Sequence, residues 1–341
     1  MLLAAATNEM FHLYEAKEEL SLLSAGTFGG WMDIIESAWS SGLDHITFMT
    51  SGSTGPAKMC VHQLSHLQTE ILYLADVFSS RKRIVALAPA HHIYGFLLTA
   101  MLPDQLGLEV VSAEHVDPCG LARSFRKSDL IVSIPDYWQW LNQTSLTWPE
   151  EICGVVSTAP CPAPLIRSLM QKGLNDMLEI YGSSETSGIG VRAWPDNSYR
   201  LMPHWRRGHS NDPEQTDLIH ASGIQVRLMD RIEFLEDGSF LLAGRRDGAV
   251  QVGGMNVYPA RIASLLLARP GVAKVAVRLM RPEEGVRLKA FIVPIPGASV
   301  EDVRGDLEKW IEKYLNVVER PKAMKFGLML PIISPGEALD W

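Results

Sequence analysis

The sequence predicts an α/β fold. A large N-terminal domain carries a mostly parallel sheet plus a strand-rich segment, and a small α+β domain follows. Three observations predict it. Short apolar runs alternate with helix-like stretches between residues 60 and 181, as in units that pack helices on a parallel sheet. From about residue 191 the alternation gives way to loop-forming residues and then short strand signals. Beyond Arg245–Asp247 a new set of strands and one strongly amphipathic helix begins. A chain of 341 residues is long enough for two domains, here read as 1–245 and 246–341.

In chain order, residues 60–80 read as a helix and Arg83 to Ala88 as a buried strand closed by Pro89. Strands are expected at 108–112, 130–134, 152–157 and 177–180. Helices are expected at 118–127, 136–142 (with Asp136 as N-cap) and 164–172. Residues 191–215, with frequent Trp, Pro, Asn and Arg, read as loops. Short strands follow at 224–228, 231–235 and 239–243, the last two joined by a Glu-Asp-Gly turn. The small domain has strands at 272–278 and 289–293. Its helix runs from Ser299 to Tyr314, with Val300, Val303, Leu307, Trp310, Ile311 and Tyr314 on one stripe.

Composition narrows the function. A hydrophobic share of 47% supports a real core. A net charge of −8 argues against a general nucleic-acid binder. No run of 18 apolar residues exists, so no membrane span is expected. The four cysteines (Cys60, Cys119, Cys153, Cys161) show no CxxC spacing and read as reduced, buried thiols. The start of the chain lacks a signal-peptide pattern, so a cytoplasmic protein is expected.

The most informative run is Thr50-Ser51-Gly52-Ser53-Thr54-Gly55-Pro56-Ala57-Lys58. Hydroxyls and free N–H groups on a glycine loop suit a polyphosphate, whose oxygens are all acceptors. The glycines permit close backbone approach, and Lys58 adds a charged donor. It is not a Walker A loop, because Met59 follows the lysine. This run resembles the phosphate loop of the adenylate-forming superfamily, which includes acyl- and aryl-CoA ligases and peptide-synthetase adenylation domains. Further matches follow in the same order.

Tyr181-Gly182-Ser183-Ser184-Glu185 resembles that family's YGxTE element, with Ser184 for threonine. The resemblance implies that Tyr181 stacks on adenine, Ser184 touches the α-phosphate and Glu185 holds Mg²⁺. Ser157-Thr158-Ala159-Pro160 stands where the family has a Gly-Gly-Ala-Pro turn whose backbone lines the adenine site. Asp230, eight residues before the turn glycine Gly238, matches a ribose-binding aspartate, although Leu228-Met229 replaces the usual Thr-Gly. Arg245 matches a nucleotide-contacting arginine. Asp247 matches the hinge about which the small, mobile domain rotates. Gly253 and Gly254 match a glycine loop lining the thiol tunnel. Pro89-Ala90-His91-His92-Ile93-Tyr94-Gly95 resembles the Pro-x-x-His-x-x-Gly element, which places His92 near the substrate carboxylate and Tyr94 and Gly95 at the acyl pocket.

The resemblance implies ATP-dependent activation of a carboxylic acid to acyl-AMP, then transfer to a thiol. It implies ATP, Mg²⁺ and either CoA or a phosphopantetheine acyl carrier protein. Two departures stand out. Only 49 residues precede the loop, fewer than most of the superfamily carries, as in short aryl-acid ligases similar to 4-coumarate:CoA ligase. In Leu330-Pro331…Gly336-Glu337, glutamate stands where the family has its catalytic lysine. The alternative expectation is therefore a ligase-like protein that binds nucleotide or acyl-AMP but adenylates poorly.

Overall fold

The computed structural model describes residues 2–49, 58–113, 118–144, 147–210, 212, 215–281, 283–331 and 341. The hydroxyl loop 50–57 and Glu337 lie outside the described residues.

The centre of the chain is an α/β layer on a seven-stranded sheet. In spatial order its strands are Glu109–Ser112, Arg83–Ala86, Asp129–Ser133, Cys153–Val156, Asp176–Ser183, Ser187–Ala193 and Arg200–Leu201. The first five pair in parallel and the last two antiparallel. Three central strands are buried at every residue, as helices on both faces require. Alternate strand residues serve opposite cores. Ile84, Leu130 and Val132 join helices Leu64–Val77 and Leu102–Leu106 on one face. Val85, Ile131 and Val156 join helices Pro135–Gln143 and Ala163–Gln171 on the other. Arg83 and Asp129 pair inside this layer at 2.6 Å.

Residues 60–80 are not one helix. Met59–Gln63 is a strand, paired antiparallel with His45–Met49, and the helix begins at Leu64. Cys60 and His62 alternate inward opposite Phe48 and Ile46. The helical stripe of Leu67, Ile71 and Leu74 starts only beyond them. Asp136 does not cap its helix. Ile134 is the cap and Pro135 takes the first turn, where its fixed φ fits and no N–H is missed. Residues 191–215, expected as loops, contribute Ser187–Ala193, Arg200–Leu201 and Trp205–Arg207. Backbone pairing overrides their composition, the first two on the edge of the large sheet and the third against Asp217–His220. The strand expected to end near Tyr181 continues to Ser183.

Between residues 93 and 106 the helical path widens to a π-turn over Leu97–Met101 just before Pro103. A proline there supplies no N–H and crowds the preceding turn.

In the last third, Val272–Leu279, Leu288–Pro294 and Ala323–Phe326 form a three-stranded sheet. Helices Pro259–Leu267 and Val300–Tyr314 pack on it with their own apolar cluster. Ser299 caps the second helix by accepting from the Asp302 N–H. Val303, Leu307 and Ile311 are its buried stripe, whereas Tyr314 is exposed beside Trp310. Hairpin Val250–Val252 and Met255–Val257 turns through Gly253 and Gly254, both at positive φ, as a two-residue turn of this kind demands.

Candidate active site

Strand order reverses beside Arg83–Ala86, whose neighbours are Glu109–Ser112 and Asp129–Ser133. Such a switch point opens a crevice at the carboxyl ends of the strands. The segments that follow Ala86, Val156 and Ser183 all leave from that edge.

The turn after Tyr181 is built by its own hydroxyls. Ser183 Oγ accepts from the N–H groups of Glu185 and Thr186, both at 3.2 Å. Ser187 takes a positive φ to close the turn. Gly182 is obligatory for packing, since a Cβ there would lie 2.1 Å from Ser187 O. Ser184 is half-buried and Glu185 is exposed.

A residue that the sequence did not single out ties this turn to the strand that follows the hydroxyl loop. His62 Nε2 donates to the Ser184 carbonyl at 2.7 Å. Lys58, exposed, immediately precedes the same short strand. Burial pushes the Cys60 thiol up to about 11, with Glu185 raising it and Lys58 lowering it. Both charges thus act on one buried sulfur.

Tyr181 donates to Asp230 Oδ2 at 2.6 Å. Burial, then the Asp230 charge, pushes its hydroxyl well above the ordinary tyrosine range. Arg245 lies opposite Asp230 in an antiparallel pair and donates to Asp230 Oδ1 at 3.4 Å. Its stronger contact is bidentate, to both Asp247 oxygens at 2.9 Å. Asp247 also accepts from Ala249 N and Tyr258 Oη. The Arg245 hydrogen bonds hold the Asp247 carboxyl below its usual range. Asp230 keeps acceptor capacity beyond its two partners, since a carboxylate offers about four lone-pair sites.

His92 caps the short helix Ile93–Phe96, its carbonyl accepting from Phe96 N at 2.8 Å. Burial, then His91, lowers its pKa, which keeps it neutral. Tyr94 sits in the core, and its hydroxyl is spent on the Ser133 and Val155 carbonyls, both at 3.0 Å. Gly95 is a packing glycine: a Cβ would lie 2.1 Å from Pro89 O. Of the three residues expected at the acyl pocket, His92 is the one with a side chain left half-exposed.

Ser157 donates to the Ile180 carbonyl at 2.8 Å, which seats its turn beside Tyr181. The next residue, Thr158, has φ +76°, a region where a β-branched residue is strained by about 1–3 kcal/mol.

Beneath the Ser183–Ser187 turn lies a buried polar cluster that the sequence also left unmarked. Glu70 accepts from Gly188 N at 3.0 Å, and burial pushes its carboxyl up to about 7. His204 and Trp205 Nε1 meet the Gly188 carbonyl. Rings of His204, His220 and His66 follow at centroid spacings of 5.3 and 4.8 Å.

Comparison with known proteins bears on this geometry. Residues 37–232, more than half the chain, match the family model described as AMP-binding enzyme. The chain belongs to the AMP-binding enzyme family. It is 36% identical over 338 residues to 4-coumarate–CoA ligase of Halorhodospira halophila, covering 98% of this chain and 85% of that one. It is 34% identical over 337 residues to the 4-coumarate–CoA ligase of Cereibacter sphaeroides, covering 97% and 79%. Among solved structures, o-succinylbenzoate CoA synthetase of Bacillus subtilis shares the fold with a TM-score of 0.64 at 20% identity, covering 86% of this chain and 67% of that one.

Family membership raises the question of Mg²⁺. Among the described residues no group of three or more His, Cys, Asp or Glu side chains forms a cage. A single exposed carboxylate, Glu185, suits an ion held mainly by phosphates and water. No helix among the described residues is long and apolar enough to cross a membrane.

Proposed function

We propose that this chain is an AMP-forming acid–thiol ligase that activates an aromatic carboxylic acid and transfers the acyl group to CoA. The observation that carries the reading is the link from His62 to Ser184. It draws the strand behind the hydroxyl loop onto the Tyr181–Glu185 turn, in a chain whose relatives bear the name 4-coumarate–CoA ligase.

In this reading the substrate carboxylate attacks the α-phosphorus of ATP, pyrophosphate leaves, and acyl-AMP forms. A thiol then attacks the acyl carbonyl, its proton passes to solvent, and AMP leaves. Thr50, Ser51, Gly52, Ser53, Thr54, Gly55 and Lys58 bind the phosphates. Tyr181 and Gly182 face the adenine, and Ser184 holds the α-phosphate. Asp230 accepts the ribose hydroxyls and Arg245 orients Asp230. Neutral His92 meets the acid. Glu185 would hold Mg²⁺, which when bound neutralises phosphate charge. The small domain, 246–341, turns at Asp247 and presents the thiol past Gly253 and Gly254. CoA is favoured over a carrier protein because the relatives are named as CoA ligases. Cys60, Cys153 and Cys161 are free and buried, which fits a reducing cytoplasm.

Nothing among the relatives favours the rival reading of a binding protein that adenylates poorly. Glu337 stands at the family's lysine position, and a carboxylate there opposes phosphate oxygens. ATP–pyrophosphate exchange with aromatic acids, run on this chain beside E337K, tests the reading. The lysine is expected to raise exchange by about 10²-fold. Absence of exchange in both, from folded protein, would overturn it.

A further inference from the structure

Thr158 is strained, exposed and unused. Its φ of +76° is one that β-branched residues avoid. It lies in no core, since it is exposed at the crevice edge. Among the described residues its hydroxyl has no hydrogen-bond partner. Neither packing nor hydrogen bonding therefore explains the conformation, and strain that persists unexplained marks a used position.

What Thr158 meets lies some hundred residues away. A Cβ built on Gly254 would sit 3.5 Å from Thr158 Oγ1, 3.7 Å from its Cβ and 3.9 Å from its carbonyl oxygen. A Cβ on the neighbouring Gly253 would meet Val318 Cγ1 at 3.7 Å and Asp136 Oδ2 at 4.0 Å. The Gly253–Gly254 turn thus rests on Thr158 and Asp136, which follow two adjacent strands of the large sheet. Both glycines stand at the positive φ that the hairpin needs, and the Thr158 side chain gives the turn a surface to stop against.

We propose that Thr158 is a positioning residue for thiol transfer: its side chain sets the register of the Gly253–Gly254 turn when the small domain closes on the nucleotide crevice. The proposal rests on the ligase reading above. It makes the Cβ and γ atoms the functional part, so valine replaces threonine and glycine does not.

Two experiments test it. The first needs no catalysis. The 3.7 Å separation of the two Cβ positions falls within the range of disulfides. The T158C/G254C variant should therefore crosslink under a mild oxidant, while each single variant should not. All three variants carry C119S, and Cys60, Cys153 and Cys161 are buried with thiols pushed up to about 11, 12 and 12, so they stay silent. The second compares half-reactions: pyrophosphate exchange against thioester formation from a supplied aryl-AMP and CoA. In T158G the ratio of the second rate to the first should fall about tenfold through kcat, with KM for CoA held, and T158V should restore most of it. Failure of the folded double variant to crosslink would overturn the proposal. So would an unchanged ratio in T158G while the parent chain makes thioester. If the crosslink forms but the parent cannot convert aryl-AMP, the ligase reading fails and this role falls with it.

Discussion

His62 Nε2 donates to the carbonyl oxygen of Ser184 at 2.7 Å, joining residues 122 positions apart. The imidazole is buried, and desolvation lowers its pKa, so the ring is a neutral donor at pH 7. H62A would leave the Ser184 carbonyl without this donor. The expected loss is about 1–3 kcal/mol of stability, read by urea unfolding. Pyrophosphate exchange should fall about tenfold, since about 1.4 kcal/mol of lost positioning is a factor of ten. H62Q, which keeps a donor, should recover part of both. Equal stability of H62A and the parent would contradict the link.

Glu70 and His204 give opposite pH slopes. Glu70 is raised to about 7 from 4.5, so its proton binds the folded state more tightly. Its contribution is complete below about pH 4.5 and is lost as pH rises through about 7. Burial lowers His204 to about 4 from 6.5. That contribution is present above about pH 6.5 and is lost as pH falls through about 4. E70Q should therefore gain on the parent between pH 5 and 8, by at most about 3 kcal/mol. H204N should gain on it between pH 6.5 and 4. Unfolding midpoints across pH 4–8 read both, and parallel curves would refute the assignment.

G95A should be far more damaging than its small volume suggests. Its Cβ would meet Pro89 O at 2.1 Å and Pro89 C at 2.7 Å, and neither backbone atom can swing away. A destabilisation of about 3 kcal/mol is expected. A fully stable G95A would contradict this packing role.

Asp230 accepts from Tyr181 and Arg245 and has capacity left for ribose hydroxyls. D230N halves that capacity and turns an amide toward two donors. KM for ATP should rise about tenfold with a smaller change in kcat. Steady-state kinetics at varied ATP decides it, and an unchanged KM would remove Asp230 from the nucleotide site.

The parts of this molecule legible in its sequence are those written locally. Arg83–Ala86 and Asp129–Ser133 stand out because a parallel strand is apolar on both faces. Gly253 and Gly254 announce a turn because both carry positive φ. His62 is not legible because its alternating strand runs directly into a helix and shares its apolar pattern. Nor is Glu70, because its partner, Gly188, is 118 positions away, and no local period records such a contact. Thr158 reads as any residue of a proline-rich turn, because its φ of +76° is not written in its residue type.

The most direct test of the central claim is product analysis with ATP, Mg²⁺, CoA and a panel of aromatic acids including 4-coumarate. The account predicts an aryl-CoA thioester formed in equal amount with AMP and pyrophosphate, from the parent chain or from E337K supplied with the same reagents. Folded protein that yields neither AMP nor thioester with any aromatic acid, in either form, would contradict it.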